Sequence, residues 1–209
     1  MSLIKKTSQQ QSAVAEEAPL SFREYEQLLF SEMVDDRRLA VRGLAELHDV
    51  EWLPTMIAAL KSEKDAGVQE LIVQTLRVRG GDAVVDALVP FLSSDDAHLR
   101  NAVIDVLQQM PSETETHMEG LLADDDADVR IFAINIMASL QSASVPHWLE
   151  TVISHDQNLN VCMTALDLLA ETGEKNMCAS VEGLLTRFPD EPYVAFSVDR
   201  VKKRLGCDV

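Results

Sequence analysis

Amide, carboxylate and aromatic side chains recur at a regular interval along this chain, and together they could hydrogen-bond and pack against a peptide. We take Arg38, Gln69, Arg100, Arg130, Cys162 and Val194 as reference positions, and examine the residues two and five places after each. The residues so selected are Gln74, Asp105, Asn135, Asp167 and Asp199, together with Leu71, Phe132 and Phe196. Polar groups at this spacing could bind an extended or basic segment of a protein partner, with the apolar residues as anchors. The alternative is that they form the ordinary polar surface of exposed helices.

The reference positions themselves indicate a repeat, because 30 to 32 residues separate each one from the next. A nearly constant interval of this length is typical of repeat architectures. Apolar residues lie three, four and seven places after most reference positions, as in Val103, Ile104 and Leu107, which predicts one buried stripe on a helix. An acidic residue that could cap the helix precedes each copy: Asp35, Asp65, Asp96, Asp126, Asp156 and Asp190.

A second amphipathic segment lies between the copies, for example at residues 52–60 and 83–92, where Pro90 predicts a kink. Each unit is therefore predicted to be a helical hairpin that buries its apolar face against its neighbours. The fold class is all-α, with about six hairpins in one domain at residues 20–48, 51–79, 82–110, 112–140, 143–172 and 174–205. Residues 1–19 are predicted to be a flexible N-terminal arm, and a short docking peptide is the alternative reading.

Two motifs, Asp96-x-x-x-Arg100 and Asp126-x-x-Val129-Arg130-x-x-Ala133, carry a family resemblance. The chain resembles the HEAT-repeat family, in particular the short HEAT-like repeats found in phycobilisome chromophore lyases. The resemblance implies a right-handed α–α superhelix whose second helices line the concave face. It also implies an inter-repeat ladder formed by Asp96, Arg100, Asp126 and Arg130. A charged ladder cannot be continuous, because Gln69, Cys162 and Val194 stand where the family has arginine.

The composition excludes some classes of partner. The formal net charge is -17, and a protein this acidic repels the phosphate backbone of nucleic acids. No apolar run is long enough to span a membrane, and the N-terminus lacks the pattern of a secretory signal. Cys162, Cys178 and Cys207 show no metal-ligand spacing, so reduced thiols and a cytoplasmic location are expected, with Cys162 and Cys178 in the core.

The sequence shows no catalytic constellation. One enzyme class on the HEAT fold, a di-iron hydroxylase, uses His-Glu pairs as ligands, and this chain has no such dipeptide. Residues 124–128 are rich in aspartate but lack the turn glycine and distal glutamate of a calcium loop. No phosphate-binding glycine loop occurs either. We therefore expect no metal, no cofactor and no enzymatic activity.

The function predicted from the sequence is that of a protein-interaction scaffold or adaptor, monomeric or weakly dimeric, which binds its partner on the concave face. The alternative, a bilin (chromophore) lyase or a subunit of one, rests on the fold resemblance alone.

Overall fold

The computed structural model describes residues 20–47 and 49–207, and every regular element in those ranges is a helix, as the sequence predicts. The α-helices are α1 (Phe22–Leu29), α2 (Val34–Glu46), α3 (Trp52–Ser62), α4 (Ala66–Arg79), α5 (Asp82–Leu88), α6 (Ala97–Gln108), α7 (Pro111–Glu115), α8 (Met118–Leu122), α9 (Ala127–Met137), α10 (Val145–His155), α11 (Leu159–Thr172), α12 (Cys178–Arg187) and α13 (Pro192–Leu205). Two 3-10 helices span Val89–Ser93 and Lys175–Met177. The predicted N-terminal arm, residues 1–19, lies outside the described ranges.

Aspartate caps account for where three of the second helices begin. The carboxylates of Asp65, Asp96 and Asp126 accept hydrogen bonds from backbone N–H groups in the first turns of α4, α6 and α9, as predicted. The other predicted caps, Asp35, Asp156 and Asp190, are wrong, and the N-caps of α2, α11 and α13 are Met33, Asn158 and Glu191. Asp156 is instead the C-cap residue of α10. Its carboxylate forms an ion pair with the guanidinium of Arg130, in the preceding hairpin.

The helices pair into six antiparallel hairpins that stack in chain order. Each second helix packs on the next, so that α2, α4, α6, α9, α11 and α13 form one continuous layer. The first helices pack on one another less consistently than the second helices do. Pro90 ends α5 near Leu88 and a 3-10 segment replaces the rest of that helix, because proline has no N–H to donate.

The predicted apolar stripe forms the core between hairpins. Leu107, Ala133 and Leu166 are fully buried, and so are most of their counterparts in the other second helices, although Ile104 is half-buried. The first hairpin is the exception, because Ala40, Val41 and Leu44 are buried there whereas Arg42 is exposed. The buried set therefore lies one residue earlier than predicted, and the reference residue of α2 is Arg37 rather than Arg38.

Close packing between α1 and α2 depends on Gly43. A Cβ atom built at this position would lie 2.1 Å from Cζ of Tyr25, which is shorter than any van der Waals contact. The absence of a side chain at Gly43 thus allows the Tyr25 ring to pack directly against the backbone of α2.

In two hairpins, an arginine forms a salt bridge with a carboxylate of the following hairpin. The Nε and Nη2 atoms of Arg130 donate to the Asp156 carboxylate at 2.7 and 3.0 Å, and those of Arg37 donate to Glu63 at the same distances. In each case Nη1 also donates to a carbonyl of the loop before its own helix, at Asp124 or Ser31. The acid that receives the arginine therefore lies in the loop of the next hairpin, ahead of the residue that caps its second helix.

Asp96 and Arg100, which the resemblance places in the ladder, have other partners. Asp96 accepts a hydrogen bond from Nε2 of Gln69 at 3.1 Å. This hydrogen bond contributes most to lowering the pKa of Asp96 below its usual value. The guanidinium of Arg100 lies over the Phe132 ring, 5.1 Å from its centroid. Its Nη1 donates to the Ser94 carbonyl at 2.7 Å. A neutral amide thus continues the ladder of hydrogen bonds between the second and third hairpins.

Cys162 replaces arginine in α11, and Arg187 of the next hairpin compensates for it. The buried thiol donates to the Asp156 carbonyl at 3.2 Å, and burial raises the pKa of the Cys162 thiol. The Arg187 guanidinium donates to the carbonyls of Ile153 and Asp156 from the other side. The carbonyls of Ile153 and Asp156 therefore accept hydrogen bonds although α11 has no arginine at this position.

The expectation of three reduced thiols is wrong. Cys178 and Cys207 form a disulfide that joins the start of α12 to the residues after α13, across a separation of 29 residues. Cys178 is only half-buried and is not a core residue, and Cys162 is the one free cysteine within residues 20–47 and 49–207. Disulfides persist mainly in oxidising environments, so the inference from thiols to a cytoplasmic location loses its basis. None of the described helices is long and apolar enough to cross a membrane.

We predict that Ala133→Asp unfolds a large part of the molecule, and that Leu107→Asp does the same. Both side chains are fully buried in the core, and a buried carboxylate without a partner costs several kcal/mol. Since each hairpin is supported only by its neighbours, the loss should spread along the stack. Thermal denaturation followed by circular dichroism measures this. Asn135→Asp, at an exposed position on the same helix, is the matched control. A midpoint for Ala133→Asp within a few degrees of the parent would contradict the assignment of these side chains to the core stripe.

Glu63 should make stability depend on pH. Burial by itself would raise the pKa of Glu63, but hydrogen bonds from Arg37 and from the N–H groups of Asp65 and Lys64 outweigh it, so the pKa lies below its usual value. A carboxyl group with a lowered pKa in the folded state stabilises the protein above its unfolded-state pKa, and this contribution is lost as pH falls through the folded-state pKa.

Glu63→Gln should therefore lower the free energy of unfolding at pH 7 by about 1.5–3 kcal/mol, which is typical of a hydrogen bond to a charged group. The difference from the parent should shrink as the pH is lowered below 4. Urea denaturation at a series of pH values measures both. Glu26→Gln, exposed in the same hairpin as Arg37, should leave the unfolding free energy nearly unchanged. If Glu63→Gln lowers the free energy of unfolding by the same amount at pH 3 and at pH 7, the ion pair between Arg37 and Glu63 is not the cause.

Candidate partner-binding groove

The structure places most of the predicted partner-binding residues on the surface of the second-helix layer. Asp105, Asn135, Asp167, Phe196 and Asp199 are exposed. Leu71, Gln74 and Phe132 are half-buried, and both Leu71 and Phe132 pack against the core. The exposed part of the predicted site therefore belongs to four second helices, α6, α9, α11 and α13.

Two adjacent cavities join three of these residues into one groove. The first, about 320 Å³, lies between α9 and α11 and is lined by Asn135, Thr164 and Asp167. The second, about 490 Å³, lies between α11 and α13 and is lined by Asp167, Tyr193, Phe196, Arg200 and Arg204. Asp167 lines both, so the two cavities lie side by side along the layer. We call this surface the Phe196 groove.

Tyr193, Arg200 and Arg204 were missed by the sequence reasoning. Tyr193 precedes Phe196 by three residues, so that both rings lie on one side of α13, and they are 58% and 68% exposed. The spacing of three residues between the two rings is visible in the sequence. Tyr193 lies one place before the reference position of its helix, so it falls outside the offsets of two and five. Large aromatic side chains exposed beside a cavity are typical of an interaction surface.

Two acidic residues of the predicted site, Asp167 and Asp199, are already paired with cations of α13. Arg200 Nη2 lies 2.5 Å from Asp167 Oδ1, and Lys203 Nζ lies 2.7 Å from Asp199 Oδ2. Both pairs are exposed, so they contribute little to stability, but they neutralise the two carboxylates that were expected to attract a basic partner. The carboxylate of Asp105 on α6 has no partner among the described residues. The negative charge of the predicted site is therefore concentrated at its α6 end.

Leu71 and Gln74 belong to a separate cavity at the other end of the layer. This cavity, about 430 Å³, lies among α2, α3 and α4 and is lined mainly by apolar atoms. The Gln74 amide donates to Glu70 at 2.9 Å and accepts from Arg77 at 2.8 Å. Because both ends of this amide are engaged, Gln74 is less available for a partner than its position in the sequence suggests.

A further groove lies outside the second-helix layer, beside α10. Its volume is about 430 Å³, and its lining includes Glu119, Leu122, His147, Trp148 and His155. It forms because α8 has only 5 residues and leaves part of the 11-residue α10 uncovered. No periodicity in the sequence groups these residues, since they come from two different hairpins. Among the described residues, no group of three or more His, Cys, Asp or Glu is placed to hold a metal ion.

Comparison with known proteins connects this architecture to a family. Residues 25–108 match the family model described as HEAT repeats. This part of the chain carries HEAT repeats. The matched region covers α2, α4 and α6 with the helices before them, and so includes the first part of the second-helix layer.

A curated relative is a bilin biosynthesis protein, PecE of Mastigocladus laminosus. It is 30% identical over 125 residues, which amount to 59% of this chain and 45% of the relative, so the chain spans less than half of the relative's length. This similarity to a biosynthesis protein contradicts the expectation that the chain has no enzymatic role.

Solved structures of two engineered proteins also align with the chain. The first has a TM-score of 0.41 at 16% identity and covers 88% of this chain and 96% of its own. The second has a TM-score of 0.42 at 16% identity and covers 88% of this chain and 58% of its own.

Proposed function

We propose that this HEAT-repeat protein binds an extended segment of a partner protein in the Phe196 groove. The observation that carries the proposal is the pair Tyr193 and Phe196, two largely exposed aromatic rings that flank a cavity of about 490 Å³. Burying a large aromatic side chain contributes strongly to binding, and such residues often dominate the affinity of an interface. An apolar side chain of the partner would enter the cavity between α11 and α13.

The spacing of the helices suits an extended chain. Packed helices lie about 8–10 Å apart, and an extended chain advances about 3.3 Å per residue. A segment that crosses the layer would therefore present about every third residue to the next second helix. Asn135 of α9 could then hydrogen-bond the main chain two helices away from the aromatic pair of α13.

The charges favour one direction for such a segment. Asp167 and Asp199 are neutralised by Arg200 and Lys203, whereas Asp105 has no partner among the described residues. A segment with an apolar residue over α13 and a basic residue over α6 would complement both ends. Electrostatic complementarity of this kind mainly raises the association rate.

We predict that Tyr193→Ala combined with Phe196→Ala weakens binding of the native partner by about 30-fold or more. Truncation of one aromatic anchor often costs about 2 kcal/mol, which corresponds to a factor of about 30. The midpoint of thermal unfolding should change little, because both rings are exposed. The partner would be identified by cross-linking in the native cell, and its affinity for purified protein would be measured by calorimetry.

Leu185→Ala is the matched control, because it removes an exposed apolar side chain from α12 of the same hairpin, outside the groove. Its affinity for the partner should equal that of the parent. If the double variant folds and also keeps the parent's affinity, the Phe196 groove does not bind the partner.

The relative supports bilin binding as a second candidate function. PecE is named as a bilin biosynthesis protein, and the groove beside α10 offers the half-buried Trp148 indole with two exposed histidines. A bilin is a conjugated tetrapyrrole with propionate groups. Its rings could stack on the indole, and the imidazoles of His147 and His155 could hydrogen-bond the carboxylates.

Mixing the purified protein with biliverdin tests this second candidate. Binding should change the visible absorption of the pigment and quench the tryptophan fluorescence. His147→Ala should weaken the binding several-fold, whereas His98→Ala, an exposed histidine on α6, should not. An absorption spectrum identical to that of the free pigment at micromolar protein would remove bilin from consideration.

A further inference from the structure

One residue that lines the cavity among α2, α3 and α4 carries a buried donor without an acceptor. Its apolar lining comes from Ala45, Leu71 and Val78, and Trp52 closes it at the start of α3. The Trp52 side chain is buried, with 3% of the residue exposed, and its Nε1–H has no hydrogen-bond acceptor among the described residues. We call this site the Trp52 cavity.

An unpaired N–H in such a place is unfavourable, because the group has lost its hydrogen bond to water and gained none in return. Most buried polar groups in folded proteins have a partner, so each exception calls for an explanation. A ligand that brings an acceptor oxygen to Trp52 would remove this cost on binding.

Arg79 packs against Trp52 beside the cavity. Its guanidinium lies over the indole, 4.5 Å from the ring centroid, and Nη2 donates to the Leu47 carbonyl at 2.5 Å. Trp52 and Arg79 both line the cavity, and the polar groups of both side chains are donors. An oxygen acceptor complements them electrostatically, and the long arginine side chain can move aside as the ligand enters.

The rim of the cavity indicates what else the ligand must carry. Val78 is 77% exposed at the edge of the cavity, beside the half-buried Leu71. An aliphatic group that covers these side chains would be removed from water together with them. Glu46 also lines the cavity, so a neutral acceptor is favoured over a carboxylate.

We propose that the Trp52 cavity binds an aliphatic side chain of a protein segment, whose main-chain carbonyl accepts a hydrogen bond from Trp52 Nε1–H. The proposal rests on the proposed function, since Leu71 and Gln74 connect this cavity to the same layer of second helices. It adds a second anchor at the α2–α4 end and defines the chemistry that this anchor recognises.

The chain contains two tryptophans, so an NMR spectrum of the ¹⁵N-labelled protein shows two indole N–H signals. The probe is N-acetyl-leucinamide, which carries one aliphatic side chain and an acyl carbonyl. Titration should move the Trp52 indole signal downfield with half-saturation in the millimolar range, as the small size of the probe implies. The Trp148 signal should stay in place and serves as the internal reference. Acetamide, which lacks the side chain, should have no comparable effect.

Val78→Asp should abolish the saturable shift, because it places a charge at the apolar rim. The residue is exposed, so the fold should survive, and an unchanged midpoint of thermal unfolding would confirm this. Val50→Asp is the matched control, since Val50 is 90% exposed and does not line the cavity.

Three outcomes would overturn the proposal. They are no shift of the Trp52 signal up to 100 mM probe, equal shifts of both indole signals, and a shift with octanoate but none with N-acetyl-leucinamide. The last would assign the cavity to a free aliphatic acid instead of a protein segment.

The titration needs no native partner, so it is independent of the test of the Phe196 groove. The variant that combines Tyr193→Ala with Phe196→Ala should keep the Trp52 shift. If that variant keeps the shift and also keeps full affinity for the partner, the proposed groove is wrong while the cavity still binds the probe.

Discussion

Every second helix from α2 to α11 depends on one hydrogen bond to the loop before it. The residue at the reference position donates from its side chain to the carbonyl six residues earlier. The five pairs are Arg37 with Ser31, Gln69 with Glu63, Arg100 with Ser94, Arg130 with Asp124, and Cys162 with Asp156. An unpaired carbonyl beside the core would be costly, so this bond fixes how each loop enters its helix. Arginine, glutamine and cysteine all satisfy the requirement, which is a single donor of suitable reach.

The same residues also connect neighbouring hairpins where their chemistry permits. A guanidinium has donors left after the loop carbonyl is satisfied, and Arg37 and Arg130 use theirs on Glu63 and Asp156. A glutamine amide has a second N–H, and Gln69 uses it on Asp96. A thiol has no further donor, and Arg187 supplies the missing hydrogen bonds from the next hairpin. The number of donors on each side chain therefore limits which hydrogen bonds between hairpins can form. Arg100 has donors to spare but makes no such bond within the described part of the chain, and its guanidinium instead lies over the Phe132 ring of the next hairpin.

The sequence predicted the fold from apolar periodicity, and it failed where chemically similar residues compete for one position. Arg37 and Arg38 are adjacent, and only burial of Ala40 and Leu44 shows which of them occupies the reference position. Asp156 looked like a cap, but an arginine one hairpin earlier holds it, and spacing alone does not reveal such a partner. The Cys178–Cys207 disulfide could not be predicted either, because three cysteines in one chain allow several pairings.

The candidate groove was predictable in outline because helical geometry assigns exposed and buried offsets, but its electrostatics was not. The sequence shows Asp167 and Asp199 as part of an acidic stripe, whereas the structure gives each of them a cation from α13. Arg200 belongs to the neighbouring helix of Asp167, so that pairing depends on how closely α11 and α13 approach. Once those charges are paired, the aromatic rings and the shape of the cavity would determine the recognition that we propose for the α13 end. Charge would contribute mainly at the α6 end, where Asp105 has no partner among the described residues. A chain with a net charge of -17 can therefore present an almost neutral surface at the place where its exposed aromatic residues lie.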